Sequence, residues 1–179
     1  MNRTSIKDLS HIAVICALYV ALTLGIAPLS FGPIQLRFSE ILILLCFFDK
    51  KYCWSLSIGC LIANMFSPLG WVDVVFGTLA TVLSCVCIVF SKKLFVASLW
   101  PTLFNGLIVG IELTIVFDLP LFLTIGEVAI GEFICLTVLG YPIFKLLSRN
   151  KKFIQLVTLS KSDNVNINID VDDNNDKEN

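Results

Sequence analysis

Charge is scarce in this chain. Acidic and basic side chains make up 15% of its 179 residues, against about 25% in an ordinary soluble domain. Histidine is scarcer still, His11 being the one example. The apolar stretches hold no serine–histidine pairing and no metal-ligand spacing, so nucleophilic and metal-assisted catalysis lack their parts. Paired carboxylates can act as acid and base, but His11 lies at the inner boundary, far from the acids. No Gly-x-x-x-x-Gly-Lys motif is present, so any ATP dependence must come from partners. These absences argue against an enzyme, and no cofactor, metal ion or nucleic acid is expected. A cleavable signal is not expected either, because the first apolar run is too long and lacks a small-residue cleavage site.

Hydrophobicity dominates what is present: 56% of the residues are hydrophobic and the mean hydropathy is +0.87, which places the chain in the membrane class. The net charge of −1 averages two unlike regions. Lys161 to Asn179 holds six acids and two lysines, leaving eleven bases and eight acids in the body. Seven cysteines suggest no disulfide framework. Cys16, Cys46, Cys60, Cys85, Cys87 and Cys135 sit inside apolar runs, where free cysteine behaves as a small hydrophobe. Cys53 adjoins a basic turn. Metal binding by Cys85-Val86-Cys87 is not expected, since neither histidine nor a second cysteine pair accompanies it.

Six apolar runs follow one another: about Leu9 to Ala27, Phe38 to Phe48, Tyr52 to Phe66, Val72 to Phe90, Leu94 to Val116 and Leu121 to Leu147. Every second connection is basic, through Arg3 and Lys7, Lys50 and Lys51, Lys92 and Lys93, and Lys145 to Lys152, whereas the others hold only Arg37. The positive-inside rule then puts both termini in the cytoplasm. The expected fold is an all-α, multi-pass membrane protein of six transmembrane helices over residues 1–157. An acidic, Asn-rich tail over 158–179 reads as disordered. Ala13, Ala17, Ala21 and Gly25 recur at spacing four, a small-residue stripe suited either to packing within the chain or to docking a separate membrane protein.

The stretch Pro28 to Glu40 cannot be one continuous helix, because its two prolines and a glycine interrupt it. It nevertheless holds Gln35, Arg37 and Glu40. With the basic turns as rulers, Asn64 lies about 20 Å from the inner boundary, and Asn105 and Glu112 about 18 and 28 Å. Asp73 lies at about 28 Å, Glu132 and Glu127 at about 20 and 27 Å, and Glu40 near 15 Å. Costly polar groups therefore crowd the outer half, above an apolar inner half. A proton wire or channel would need them throughout; a pocket open outward would not. Glu127 and Glu132 diverge by about 140° on a helix, so the deeper Glu132 is preferred. Gln35, Arg37, Glu40, Asn64, Asp73, Asn105, Glu112 and Glu132 are the candidates to bind a ligand, with the alternative that some only cross-link helices. Carboxylates suit the adjacent N–H groups of a guanine-like ring, amides its remaining edge, and Trp71 or Phe31 its face. Trp71 is equally suited to anchoring at an interface.

Five segments, taken in order, resemble the QueT family, the queuosine-precursor carriers of bacteria. They are Phe-Gly-Pro-Ile-Gln-Leu-Arg-Phe-Ser-Glu (Phe31 to Glu40), Gly-Cys-Leu-Ile-Ala-Asn (Gly59 to Asn64), Asp-Val-Val-Phe-Gly-Thr-Leu-Ala-Thr (Asp73 to Thr81), Asn-Gly-Leu-Ile-Val-Gly-Ile-Glu-Leu (Asn105 to Leu113) and Gly-Glu-Phe-Ile-Cys (Gly131 to Cys135). The resemblance implies a substrate-binding S component of an energy-coupling factor transporter in the cell membrane. Such a component captures a vitamin-like molecule outside and releases it inside by toppling, driven by a T subunit and two ATPase subunits. The implied ligand is a 7-deazaguanine, such as the aminomethyl or cyano precursor of queuosine. Ala13, Ala17 and Ala21 match the Ala-x-x-x-Ala face that such proteins offer to the T subunit. An S component for another vitamin or purine-like compound is the alternative, as is a solitary secondary carrier, although no inverted repeat is detectable.

Overall fold

The computed structural model describes residues 6–32 and 35–158, and among them the chain is helices joined by turns, without strands. In order these are α1 (Ile6–Gly25), the single turn α2 (Ala27–Ser30), a 3-10 helix (Phe38–Phe47), α3 (Tyr52–Asn64), α4 (Trp71–Phe90), α5 (Leu94–Phe117), α6 (Leu121–Glu132), a π-helical segment (Phe133–Gly140), α7 (Tyr141–Ser148) and α8 (Lys151–Val157). Four rods are long and apolar enough to cross a membrane: Asp8–Gly25, Trp71–Phe90, Leu94–Phe117 and Leu121–Ser148, the last combining α6, the π segment and α7. Phe38–Phe47 and Tyr52–Asn64 are shorter apolar helices. The bundle's perimeter is greasy, with Trp54, Phe76, Phe90, Ile115 and Phe122 among its exposed side chains. Beyond Thr158 the expected tail lies outside the described residues.

The breaks fall where local chemistry puts them. α1 stops at Gly25, and regular structure resumes only at Phe38 after a short turn containing Pro28. α5 ends on Asp118 in the left-handed conformation, φ 55°, the exposed helix terminus its type and place suggest. Pro120 then starts α6. Asn150 caps α8, its side chain accepting from the Lys152 amide at 3.0 Å. α8 turns Phe153 and Val157 back onto the core, so the basic cluster at Lys145 to Lys152 is followed by a further short helix that its charges concealed.

The second apolar run is the central element. Ser39, Glu40, Ile43, Leu44, Leu45 and Cys46 of the 3-10 helix are all buried, and it touches α1, α3, α4, α5 and the π segment. Its winding lengthens the segment: from Glu40 to Phe47 a rise of about 2.0 Å per residue spans roughly 14 Å, where an α rise would span about 10 Å. At three residues per turn, side chains three apart eclipse, so Glu40, Ile43 and Cys46 form one ridge below Arg37, which caps the helix. Toward the basic turns the interior is mostly apolar, and the rings of Phe48, Phe144 and Phe153 pack there with centroids 5.9–6.2 Å apart.

Small residues set the closest helix crossings. Ser55, Gly59 and Ala63 of α3 are buried against α1, and Ser55 donates to the Ile12 carbonyl at 2.6 Å. A Cβ on Gly59 would lie 3.2 Å from the Cys16 carbonyl oxygen and the Tyr19 Cβ. Between α5 and α6 the approach is tighter, because a Cβ on Gly110 would lie 2.8 Å from Ile125 Cα, which is backbone and cannot swing away. Gly110→Leu should therefore cost about 1–3 kcal/mol or more through overpacking. Gly126→Ala, with nothing within 4 Å of the new methyl, should instead stabilise its helix by about 0.5–1 kcal/mol. Thermal unfolding in detergent checks both, and equal effects of the two would refute the close crossing.

Candidate ligand-binding site

Away from the basic turns, several elements bring their polar side chains together. The irregular backbone before the 3-10 helix supplies Gln35 and Arg37, α3 ends on Asn64, α4 begins with Asp73, and α5 contributes Asn105 and Glu112. Glu40 and Glu132 enter from the 3-10 helix and the end of α6. All eight side chains are buried, with Glu112, at 3%, the most exposed. Gln35 adopts φ 53°, a conformation that disfavours any residue with a Cβ; strain of this kind concentrates where a ligand is clamped.

Arg37 holds this end of the bundle together. Its Nε donates to the Ser30 carbonyl at 3.2 Å and its Nη1 to Asn64 Oδ1 at 3.4 Å. Nη2 lies 3.9 Å from Asp73 Oδ1, near enough to pair electrostatically but too far to hydrogen-bond. The guanidinium also covers the Phe31 ring, 5.5 Å from its centroid. It lies within electrostatic reach of Glu40, Glu112 and Glu132 as well. Asn64 anchors the start of α4 by donating to the Asp73 carbonyl at 3.0 Å, and Ser67 donates to the Asp73 carboxylate. Tyr19 donates to Glu40 Oε1, and Asn105 Nδ2 donates to Glu132 Oε1 at 2.9 Å.

These contacts leave an unequal remainder. Ten buried side-chain nitrogen and oxygen atoms among the described residues have no hydrogen-bond partner within the chain, and seven belong to this cluster. Six are acceptors: Glu40 Oε2, Asp73 Oδ1, Asn105 Oδ1, both oxygens of Glu112, and Glu132 Oε2. The seventh is one donor, Arg37 Nη2. A buried polar atom left unmatched costs about 1–3 kcal/mol. Seven such atoms gather at one end of the molecule, where buried water or a bound molecule would meet them.

The family model described as QueT transporter matches residues 9–149. The chain belongs to the QueT transporter family. It is 36% identical over 165 residues to "Queuosine precursor transporter QueT" of Lactococcus lactis subsp. cremoris (strain MG1363), a match covering 83% of this chain and 97% of that relative. No solved structure matches it significantly. Family membership and the apolar helices make it a multi-pass membrane protein, and the QueT family is one of transporters.

In this QueT chain Gln35, Arg37, Glu40, Asn64, Asp73, Asn105, Glu112 and Glu132 are buried together, whereas Trp71, at the first turn of α4, is 77% exposed. Glu127 is only half-buried and Glu132 fully so, as their angular separation requires. Tyr19 and Ser67 are the partners missed by the sequence reading. A tyrosine in the middle of an apolar helix needs a partner for its hydroxyl, and that was the available signal. The α1 stripe has a definite direction: Ala13, Ala17, Ala21 and Gly25 are exposed, while Tyr19 and Thr23 point into the bundle. Packing within the chain therefore does not use it.

Two substitutions should move stability in opposite directions. Arg37→Met leaves Asp73 buried without its cation and should cost about 3–5 kcal/mol. Glu112→Met removes two unmatched acceptors and should raise the stability of the ligand-free protein by on the order of 1–3 kcal/mol. Melting temperatures of the purified variants without ligand measure both, and a destabilised Glu112→Met would mean that its carboxylate braces the helices.

Proposed function

We propose that the chain is the substrate-binding component of an energy-coupling factor transporter, capturing a 7-deazaguanine precursor of queuosine at the outer face of the cell membrane. The observation that carries this reading is the surplus of six unmatched acceptors over one unmatched donor. Its chemical complement is a ligand rich in N–H groups with a single strong acceptor. A guanine-like ring offers that: ring N–H and exocyclic amine for carboxylates, and one exocyclic oxygen for the free nitrogen of Arg37. Asn105 reads the remaining edge. The aminomethyl precursor adds a cationic donor where the cyano form adds another acceptor, so this site favours the aminomethyl form. The name of the Lactococcus relative supports the substrate class.

The same reading assigns six spans, the 3-10 helix and α3 completing the four long rods. Both termini face the cytoplasm with the basic turns. The exposed line Ala13, Ala17 and Ala21 docks a T subunit, through which two ATPase subunits drive release, since a helix face of small residues admits another helix closely. Trp71 anchors the outer interface. The ligand rests above an apolar floor that closes the inner route.

Calorimetric titration of the purified protein with the aminomethyl base, the cyano base, thiamin, riboflavin and folate should show the aminomethyl base binding most tightly. Binding of a vitamin but neither deazaguanine would move the assignment to another substrate. Glu40→Gln and Glu132→Gln should each weaken binding by about 1–3 kcal/mol. Ala17→Leu should leave binding intact and abolish uptake into cells that carry the whole transporter; normal uptake by that variant would remove the docking role of the stripe.

A further inference from the structure

Three cysteines from three different elements meet near the basic turns, apart from the ligand cluster. Cys46 comes from the end of the 3-10 helix, Cys53 from the first turn of α3 and Cys85 from α4. Their sulfur atoms all lie within 4.8 Å of one another, and among the described residues no other group of three metal-ligand side chains is so close. Cys46 and Cys85 are buried and Cys53 is half-buried, which leaves the trio one side from which an ion can enter. Cys53 Sγ approaches the Cys85 carbonyl at 3.7 Å, so its thiol already points into the group. All three are free thiols. Cys87, two residues beyond Cys85, has no part in the group.

We propose that Cys46, Cys53 and Cys85 form a three-thiolate site for a soft d10 cation of the copper(I), zinc and cadmium class. Thiolates select such ions over hard cations. A metal–sulfur bond of about 2.3 Å places three sulfurs in a trigonal plane roughly 4 Å apart. The observed spacing therefore needs sulfur movements of under about 1 Å, which side-chain rotation supplies. Simple burial of three small hydrophobes accounts for the location but not for the convergence of the sulfur ends. Binding displaces the thiol protons, so affinity falls as pH is lowered. A divalent ion at the trio ties the 3-10 helix to α3 and α4 at the floor of the bundle.

The test is titration of Cd²⁺ into the reduced full-length chain in detergent, in competition with a chelator, followed by thiolate-to-cadmium absorption and X-ray absorption spectroscopy. One ion per chain with three sulfur neighbours is expected, together with a rise in melting temperature that depends on Cd²⁺ concentration. Cys53→Ser and Cys46→Ser should lose more affinity than the roughly 10–100-fold typical of disturbing an outer partner. Cys87→Ser and Cys16→Ser should retain it. Unchanged affinity in Cys53→Ser, or fewer than three sulfurs around cadmium in the wild type, would overturn the site. Should a serine variant fail to fold, the sulfur count of the wild type decides alone.

Discussion

A guanidinium taken out of water must be surrounded by groups that replace what it lost. Arg37 meets that demand by reaching three separate pieces of chain: the Ser30 carbonyl, the Asn64 amide oxygen and the Asp73 carboxylate. The turn after α1, the end of α3 and the start of α4 are thereby fixed against the head of the 3-10 helix. The bonds from Asn64 and Ser67 to Asp73 add to this register, which apolar surfaces alone would leave free to slide where lipid is as greasy as protein. Directional polar contacts specify the arrangement that hydrophobicity only permits.

The two halves of the bundle divide the work. Near the basic turns, Phe48, Phe144 and Phe153 pack among leucine and isoleucine side chains. At the opposite end, four buried carboxyl groups face one buried cation. That imbalance makes the ligand-free protein less stable than its packing alone would allow. A molecule that satisfies the leftover acceptors returns this energy as affinity, so the chain's own cohesion and its hold on a ligand are linked through the same atoms.

Much of the polar end was legible along the chain. Basic turns mark one boundary, the α rise is constant, and depth arithmetic sent Asn64, Asp73, Asn105, Glu112 and Glu132 to a common end. Two prolines and a glycine announced the irregular entry to the 3-10 helix. Its winding was not legible, since a run apolar on every side has no periodicity with which to distinguish one helical form from another. The π segment after Glu132 was hidden for the same reason. Direction around α1 was ambiguous until Tyr19 and Thr23 turned inward, leaving the alanines outside. The cysteine group escaped because its members are distant in sequence, whereas the adjacent pair Cys85 and Cys87 attracted attention and is not the one that converges.

The ridge of Glu40, Ile43 and Cys46, capped by Arg37, has a consequence for how this segment can vary. Exchanging one side chain alters only the contacts of that side chain. Adding or deleting one residue is different, because each residue of a 3-10 helix turns the chain by about 120°. A shift of that size would leave Arg37 aimed among its partners while Cys46 swung toward another neighbour, or the reverse. The spacing of this short stretch is therefore a stricter requirement than the identity of most residues within it.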